Sequence, residues 1–311
     1  MPDIFAPKHK INTKVNDLKE LEAFVSDATT NQDSVNWSQS LFNIPSAWSR
    51  TMGEGAKVAI LDTGIDVDHQ DLATAVKGSK DFTSSAGVND KNGHGTHCAG
   101  VIGARLNGVG FVGIAPKCDL YIAKVLGDNG SGDYDSISNA VAWAVDQGVD
   151  IISMSLGGPS SSPGLFAAIH YALAKGVSVI CAAGNEGSVY QNSIGYPGRY
   201  GGVITIAAHD QDGNRSGFSS KGGEIDFMAP GSDIWSTYID GGYASLSGTS
   251  MATPFVAGLA ALVVASQKGT PNEIRNCEDL RTHLMTMASH PGYHDNTTGY
   301  GPLNPLIYFS K

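Results

Sequence analysis

The sequence predicts a three-layer α/β fold, with a mostly parallel central sheet flanked by helices. Three observations carry that expectation. Short apolar runs alternate with helical stretches from residue 57 onward, as they do when helices join strands buried on both faces. Glycine is abundant, 39 of 311 residues, which suits the many tight loops of such a fold. The most chemically capable residues close apolar runs or open helices, where sites collect in open α/β sheets.

Residues 1–30 are polar and mixed; 15–28 can form a short amphipathic helix, with Leu18, Leu21, Phe24 and Val25 on one side. Residues 36–52 hold Trp37, Leu41, Phe42, Ile44 and Trp48, enough apolar surface to dock on a core. A strand is predicted over 57–61, with Asp62 at its end. His94 opens a helix to about residue 104, where Gly93 and Gly95 permit close approach. A strand at 120–126 and a helix at 136–147 follow, the helix stopped by Gly148. Next come a strand at 150–154, a helix at 164–175 stopped by Gly176, and strands at 177–182 and 203–208. Helices at 251–266 and 278–287 complete the pattern. No internal repeat and no Gly- or Pro-rich linker splits the chain. One domain over 36–311, preceded by a short extension over 1–35, is expected.

Composition narrows the function classes. The formal net charge is −10 and no Lys/Arg cluster stands out, which disfavours nucleic acid or an anionic membrane as the main partner. No run of about 18 apolar residues exists, so membrane insertion is not expected, and the apolar stretch 255–265 reads as a core helix. The first ten residues lack the basic, apolar, small-residue order of a signal peptide, which points to the cytoplasm. The four cysteines, Cys98, Cys118, Cys181 and Cys277, lack CxxC spacing. They read as free thiols and not as a zinc site.

Three segments carry chemistry. Ser250 lies in Gly248-Thr249-Ser250-Met251-Ala252-Thr253-Pro254, at the tip of the apolar helix, where backbone N–H groups could meet an oxyanion. Asp62 ends the run Val58-Ala59-Ile60-Leu61. His94 lies in Asn92-Gly93-His94-Gly95-Thr96-His97-Cys98. An acid, an imidazole and a hydroxyl, each at the end of a scaffold element, make a nucleophilic triad.

These motifs, in the order Asp, His, Ser, resemble the subtilisin-family (subtilase) serine endopeptidases, over roughly residues 36–309. The resemblance implies a broad endopeptidase working through an acyl-enzyme, with Ser250 as nucleophile, His94 as base and Asp62 orienting it. His97 is then structural. Cys98, directly after the histidine segment, resembles the proteinase K branch. Asn185, in Ala182-Ala183-Gly184-Asn185-Glu186-Gly187, matches the oxyanion-hole residue, acting with the Ser250 N–H. Ser155-Leu156-Gly157-Gly158 and Ala182-Ala183-Gly184 match two walls of the S1 pocket, and Gly195 its floor. None is charged, so large apolar P1 residues are expected. Gly130-Ser131-Gly132 matches the opposite edge of the cleft, with Tyr134 flanking S4, so that substrate binds by strand addition. Asp128, Asp133 and Asp135 near that rim fit either a preference for basic residues away from P1 or a plain solvated loop.

No cofactor is implied for the chemistry. Structural calcium is implied at Asp71 and Asn107, although the loop 106–112 is one residue shorter than the common secreted form. The brief extension resembles that of intracellular subtilisins, which implies a tail lying across the cleft and removed on activation. A protein inhibitor or activator is a further expected partner, beside extended polypeptide substrates. Two rivals differ in class. A peptide-binding relative would lack a triad member or Asn185, and all four residues are present. A lipase or esterase would carry Gly-x-Ser-x-Gly, where this chain has Gly248-Thr249-Ser250-Met251-Ala252.

Overall fold

The computed structural model describes residues 13–14 and 32–310. The helix expected over 15–28 lies outside the described residues. In chain order the elements begin with β1 (Thr13–Lys14), α1 (Trp37–Leu41), α2 (Ile44–Ala47), β2 (Lys57–Asp62), β3 (Val76–Asp81) and α3 (His94–Gly103). Then follow β4 (Asp119–Lys124), β5 (Ser131–Gly132), α4 (Tyr134–Asp146), β6 (Ile151–Met154), α5 (Pro163–Ala174), β7 (Ser178–Ala182) and β8 (Ile204–His209). The last are β9 (Phe227–Pro230), β10 (Ile234–Thr237), β11 (Tyr243–Leu246), α6 (Thr249–Gln267), α7 (Cys277–Met285) and α8 (Leu306–Phe309).

Seven strands form one sheet in the order β3-β4-β2-β6-β7-β8-β9, and every pairing in it is parallel. Strand alternation divides the interior. Val58 and Ile60 of β2 join the core under α3 and α6, whereas Ala59 and Leu61 join a second core with Ile137 and Val141 of α4 and Leu165 and Ile169 of α5. The result is the expected three-layer arrangement. Helix α6 is long and apolar enough to span a membrane by composition, yet 89% of that stretch is buried inside the protein, as a core helix requires.

The sequence reading missed β3, β9 and the β10–β11 hairpin. The β3 sequence, Val76-Lys77-Gly78-Ser79-Lys80-Asp81, sits at the sheet edge and is mostly solvated, so it carries no apolar run. β9 is four residues long and ends in a proline, tolerated because it too is an edge strand.

Because the sheet is parallel, the C-terminal ends of β2, β6 and β7 share one edge. Asp62, Ser155 and the segment after Ala182 therefore meet there although they are far apart in sequence.

Candidate active site

Asp62 is the last residue of β2 and is fully buried. His94 is the first residue of α3. Its N-cap is Gly93 at φ +99, where a β-carbon would also lie 2.2 Å from the Tyr238 ring, so only glycine fits before the histidine. His94 Nδ1 lies 2.7 Å from Asp62 Oδ1, with both side chains out of water. The Thr63 N–H donates to the same carboxylate oxygen at 2.7 Å. Burial opposes a charge on the His94 ring, but the Asp62 carboxylate outweighs it and holds the imidazole well above its usual 6.5. His94 Nε2 is buried without a hydrogen-bond partner among the described residues.

Ser250 is the second residue of α6, at the amino end of the buried helix. Its hydroxyl is directed at the Ser155 carbonyl, 3.4 Å away. Four residues on, Pro254 has no N–H to return to the Ser250 carbonyl. That acceptor is filled from outside the helix, by Ser155 Oγ at 2.9 Å and Cys98 Sγ at 3.4 Å. The Cys98 sulfur also lies 3.9 Å from His94 Nδ1, so the His94 imidazole and the Ser250 backbone touch the same atom. Burial pushes the Cys98 thiol up, which keeps it protonated and unfit to compete as nucleophile. Asp62, His94 and Cys98 lie within 4.8 Å of one another, but the direct contact between acid and imidazole makes this a proton-handling pair. His97 points elsewhere: its Nε2 meets the Ile234 carbonyl at 2.8 Å, and burial pushes its pKa down to about 3.

Asn185 follows β7. Its carboxamide oxygen accepts from the Thr249 N–H at 2.9 Å and the Thr249 hydroxyl at 3.0 Å. The amide nitrogen, without a hydrogen-bond partner among the described residues, is thereby left as the remaining donor. The two expected pocket walls and the floor converge. Gly158 and Tyr196 exchange backbone hydrogen bonds of 2.9 and 2.8 Å, and the Gly195 N–H donates to Ala183 at 3.1 Å. A β-carbon on Gly195 would meet Gly158 and Gly157 at 3.4–3.5 Å, so the backbones nearly touch. Leu156 and Ala182 are buried behind them, and Gly184, at φ +109, turns the chain towards Asn185.

The opposite edge differs in detail from the expectation. Ser131 and Gly132 form β5 after a turn through Gly130, and residues of the chain's own extension pair with it: Thr13 with Gly132 and Lys14 with Ser131, antiparallel. Tyr134 is buried, its hydroxyl donating to the Ser160 carbonyl at 2.6 Å, so it braces α4 and presents no hydroxyl to a ligand. The acidic rim is largely spent on internal contacts. Asp133 caps α4 through the Ser136 N–H, and Asp128 pairs with Lys124 and Lys91.

Asp71 and Asn107 do meet. Asp71 Oδ1 accepts from Asn107 Nδ2 at 3.2 Å, and Oδ2 accepts from the Phe111 N–H and the Tyr243 hydroxyl. Asp33, unnoticed in the sequence, takes the Asn107 and Gly108 N–H groups. These oxygen donors suit a hard cation by type. The Asn107 amide, however, turns its nitrogen to Asp71 and its oxygen to the Val109 N–H, and would have to turn over to ligate. Sequence reasoning also missed the roles of Thr63, Thr249 and Lys124: the two threonines lie beside motif residues, but nothing in their type shows which groups they meet.

The model of the subtilase family matches residues 53–301. An intracellular serine protease from Paenibacillus polymyxa is 49% identical over 230 residues, 72% of this chain and 71% of its own length. Subtilisin DY from Bacillus licheniformis is 48% identical over 227 residues, 72% of this chain and 82% of its own. Thermitase from Thermoactinomyces vulgaris is 47% identical over 233 residues, 74% of this chain and 82% of its own. A buried acid–imidazole pair and a helix-tip serine, both in contact with Cys98, on a seven-stranded parallel sheet agree with that likeness: the chain belongs to the subtilase family and is a subtilisin-like serine endopeptidase.

Proposed function

We propose that Asp62, His94 and Ser250 form the catalytic triad of a broad endopeptidase that prefers large apolar P1 residues. The observation that carries this reading is the buried His94, tied to Asp62 through Nδ1 and left open at Nε2. In the reaction, Ser250 Oγ rotates from the Ser155 carbonyl to attack the scissile carbonyl carbon, and His94 Nε2 takes its proton. Asp62 holds the tautomer and stabilises the imidazolium. The oxyanion accepts from Asn185 Nδ2 and the Ser250 N–H. Collapse breaks the C–N bond, His94 returns the proton to the leaving amine, and an acyl-enzyme remains on Ser250. Water, deprotonated by His94, then adds to the acyl carbon; the bond to Ser250 Oγ breaks, His94 returns the proton to that oxygen, and the acid is released. No cofactor enters these steps. The uncharged walls at Leu156, Gly157, Gly158, Ala182, Ala183, Gly184 and Gly195 support the apolar P1 preference.

Residues 1–35 are proposed as a short extension that occupies the cleft edge before activation, ahead of the peptidase domain 36–311. The pairing of Thr13 and Lys14 with β5 supports this, because substrate would need the same backbone groups. A protein inhibitor or activator acting at this edge is part of the same reading. Location in the cytoplasm is supported by four buried free thiols and by the name of the P. polymyxa relative. Structural calcium is proposed at Asp33, Asp71 and Asn107, with the Asn107 amide reversed; a melting temperature raised by calcium and lowered by chelator tests it.

Cleavage of casein by wild type and Ser250→Ala, with intact mass followed over time, tests the central reading. Cleavage by wild type alone is expected. Equal cleavage by the variant would move the nucleophile elsewhere.

A further inference from the structure

Lys124, the last residue of β4, is fully buried, yet its ammonium takes no part in the chemistry above. A buried ammonium is tolerated only when paired, and the pairing is informative. Nζ donates to the Thr63 carbonyl at 2.5 Å and to Asp128 Oδ1 at 3.0 Å. Thr63 is the residue beside Asp62. Its N–H orients Asp62 Oδ1, and its hydroxyl accepts the Gly95 N–H at 2.9 Å, in the first turn behind His94. Asp128 stands on the turn 127–131, closed by the Gly127 N–H on the Ser131 carbonyl at 2.8 Å, which leads directly into the edge strand β5. A second bridge leaves the same residue. The Asp128 carbonyl accepts from Asn92 Nδ2 at 3.4 Å, and Asn92 Oδ1 accepts the His94 N–H at 3.3 Å.

We propose that Asp128 is a positioning residue, a latch linking the cleft edge to both Asp62, through Lys124 and Thr63, and His94, through Asn92. Occupation of β5 by an extended chain fixes the turn, and the two bridges carry that restraint to the acid–imidazole pair. Remote substrate contacts then raise turnover and not merely affinity, which is how binding energy away from the scissile bond aids catalysis. The Asp128 carboxyl is held below its ordinary range, first by its hydrogen bond from Lys124.

This inference rests on the triad assignment above. The test compares kcat and KM for a one-residue and a four-residue p-nitroanilide sharing phenylalanine at P1, in wild type, Asp128→Asn, Lys124→Met and the double variant, each after the extension that pairs with β5 has been removed and the shortened mass confirmed. The four-residue substrate is expected to lose its kcat advantage over the one-residue substrate by about tenfold in each single variant, the scale of one charged hydrogen bond. The double variant should be no worse than Lys124→Met, because both act in one chain of contacts. A kcat ratio unchanged in Asp128→Asn, or a change confined to KM, overturns the latch. The Asp128 side chain is 42% exposed, so Asp128→Asn decides the matter even if Lys124→Met fails to fold. His94→Ala, run alongside, separates the two readings: wild-type turnover in that variant defeats the triad, and leaves the kcat ratio to judge the Asp128 turn by itself.

Discussion

Thr249 fixes the amide of Asn185 from two sides, with its N–H and its hydroxyl both on the carboxamide oxygen. The direction of the remaining donor is therefore set by the residue beside Ser250. Asn185→Ala should lower kcat about 10²–10³-fold with KM little changed, the range known when subtilisin itself loses an oxyanion-hole donor. Thr249→Val keeps the N–H and loses the hydroxyl, so a smaller loss, about tenfold in kcat, is expected. A raised KM with kcat unchanged would argue that Asn185 only binds the ground state.

The two neighbouring histidines are shifted in opposite directions, and each sets its own pH dependence. As the proposed base, His94 works only when neutral, and Asp62 holds its pKa well above 6.5. The acid limb of kcat/KM should therefore lie above 6.5, with activity falling as pH drops through it. His97 is pushed by burial to about 3, below its unfolded value of 6.5. The stability it contributes is full above 6.5 and is lost as pH falls from there towards about 3. His97→Gln should flatten the fall of melting temperature in that window; an unchanged slope would assign the acid loss to other groups.

Pairing of Thr13 and Lys14 with β5 predicts a latent full-length chain. Enzyme starting at Gln32 should show a lower KM for extended peptides than enzyme starting at Met1, and full-length protein incubated alone should shorten from its amino end. A full-length chain that keeps its first residues while as active as the shortened one would remove the extension from the cleft.

The pocket walls predict a specificity change. A β-carbon on Gly157 has 3.9 Å to the Gly195 Cα, so it enters the space between the walls without a clash. Gly157→Val should cut kcat/KM for phenylalanine at P1 by about 10–200-fold, while alanine at P1 is retained, as expected when a pocket loses room for a few carbons. Parallel losses on both substrates would mean that the backbone had moved.

The sheet and the reactive groups were legible because both leave marks in the sequence. Val58 to Leu61 is apolar throughout, and Asp62 interrupts it. The helix opened by His94 ends at Gly103, one residue before its expected end. The edge strand β3 left no such mark, because solvent covers its outer side and Lys77, Ser79 and Lys80 are as suitable there as in a loop. The acidic rim misled for a related reason. Asp128 looks solvated by composition, and its lysine partner lies in what reads as a uniformly apolar strand, Leu120-Tyr121-Ile122-Ala123-Lys124-Val125. Thr63 and Thr249 were illegible because a threonine's hydrogen-bonding role depends on which chain comes back to meet it.

The parallel sheet has a consequence for how the enzyme comes into being. Asp62 and His94 are synthesised early, but Ser250 and the segment that closes the site belong to the last fifth of the chain. Strand β9 and helix α6, which complete the sheet and its cover, also come late. Domains fold as their residues emerge, amino end first, and long-range parallel pairing is slow. With the triad proposed above, a nascent polypeptide that has not reached Ser250 holds the acid and the imidazole without the nucleophile, and cannot digest itself or its neighbours on the ribosome. Danger arrives only with the completed molecule.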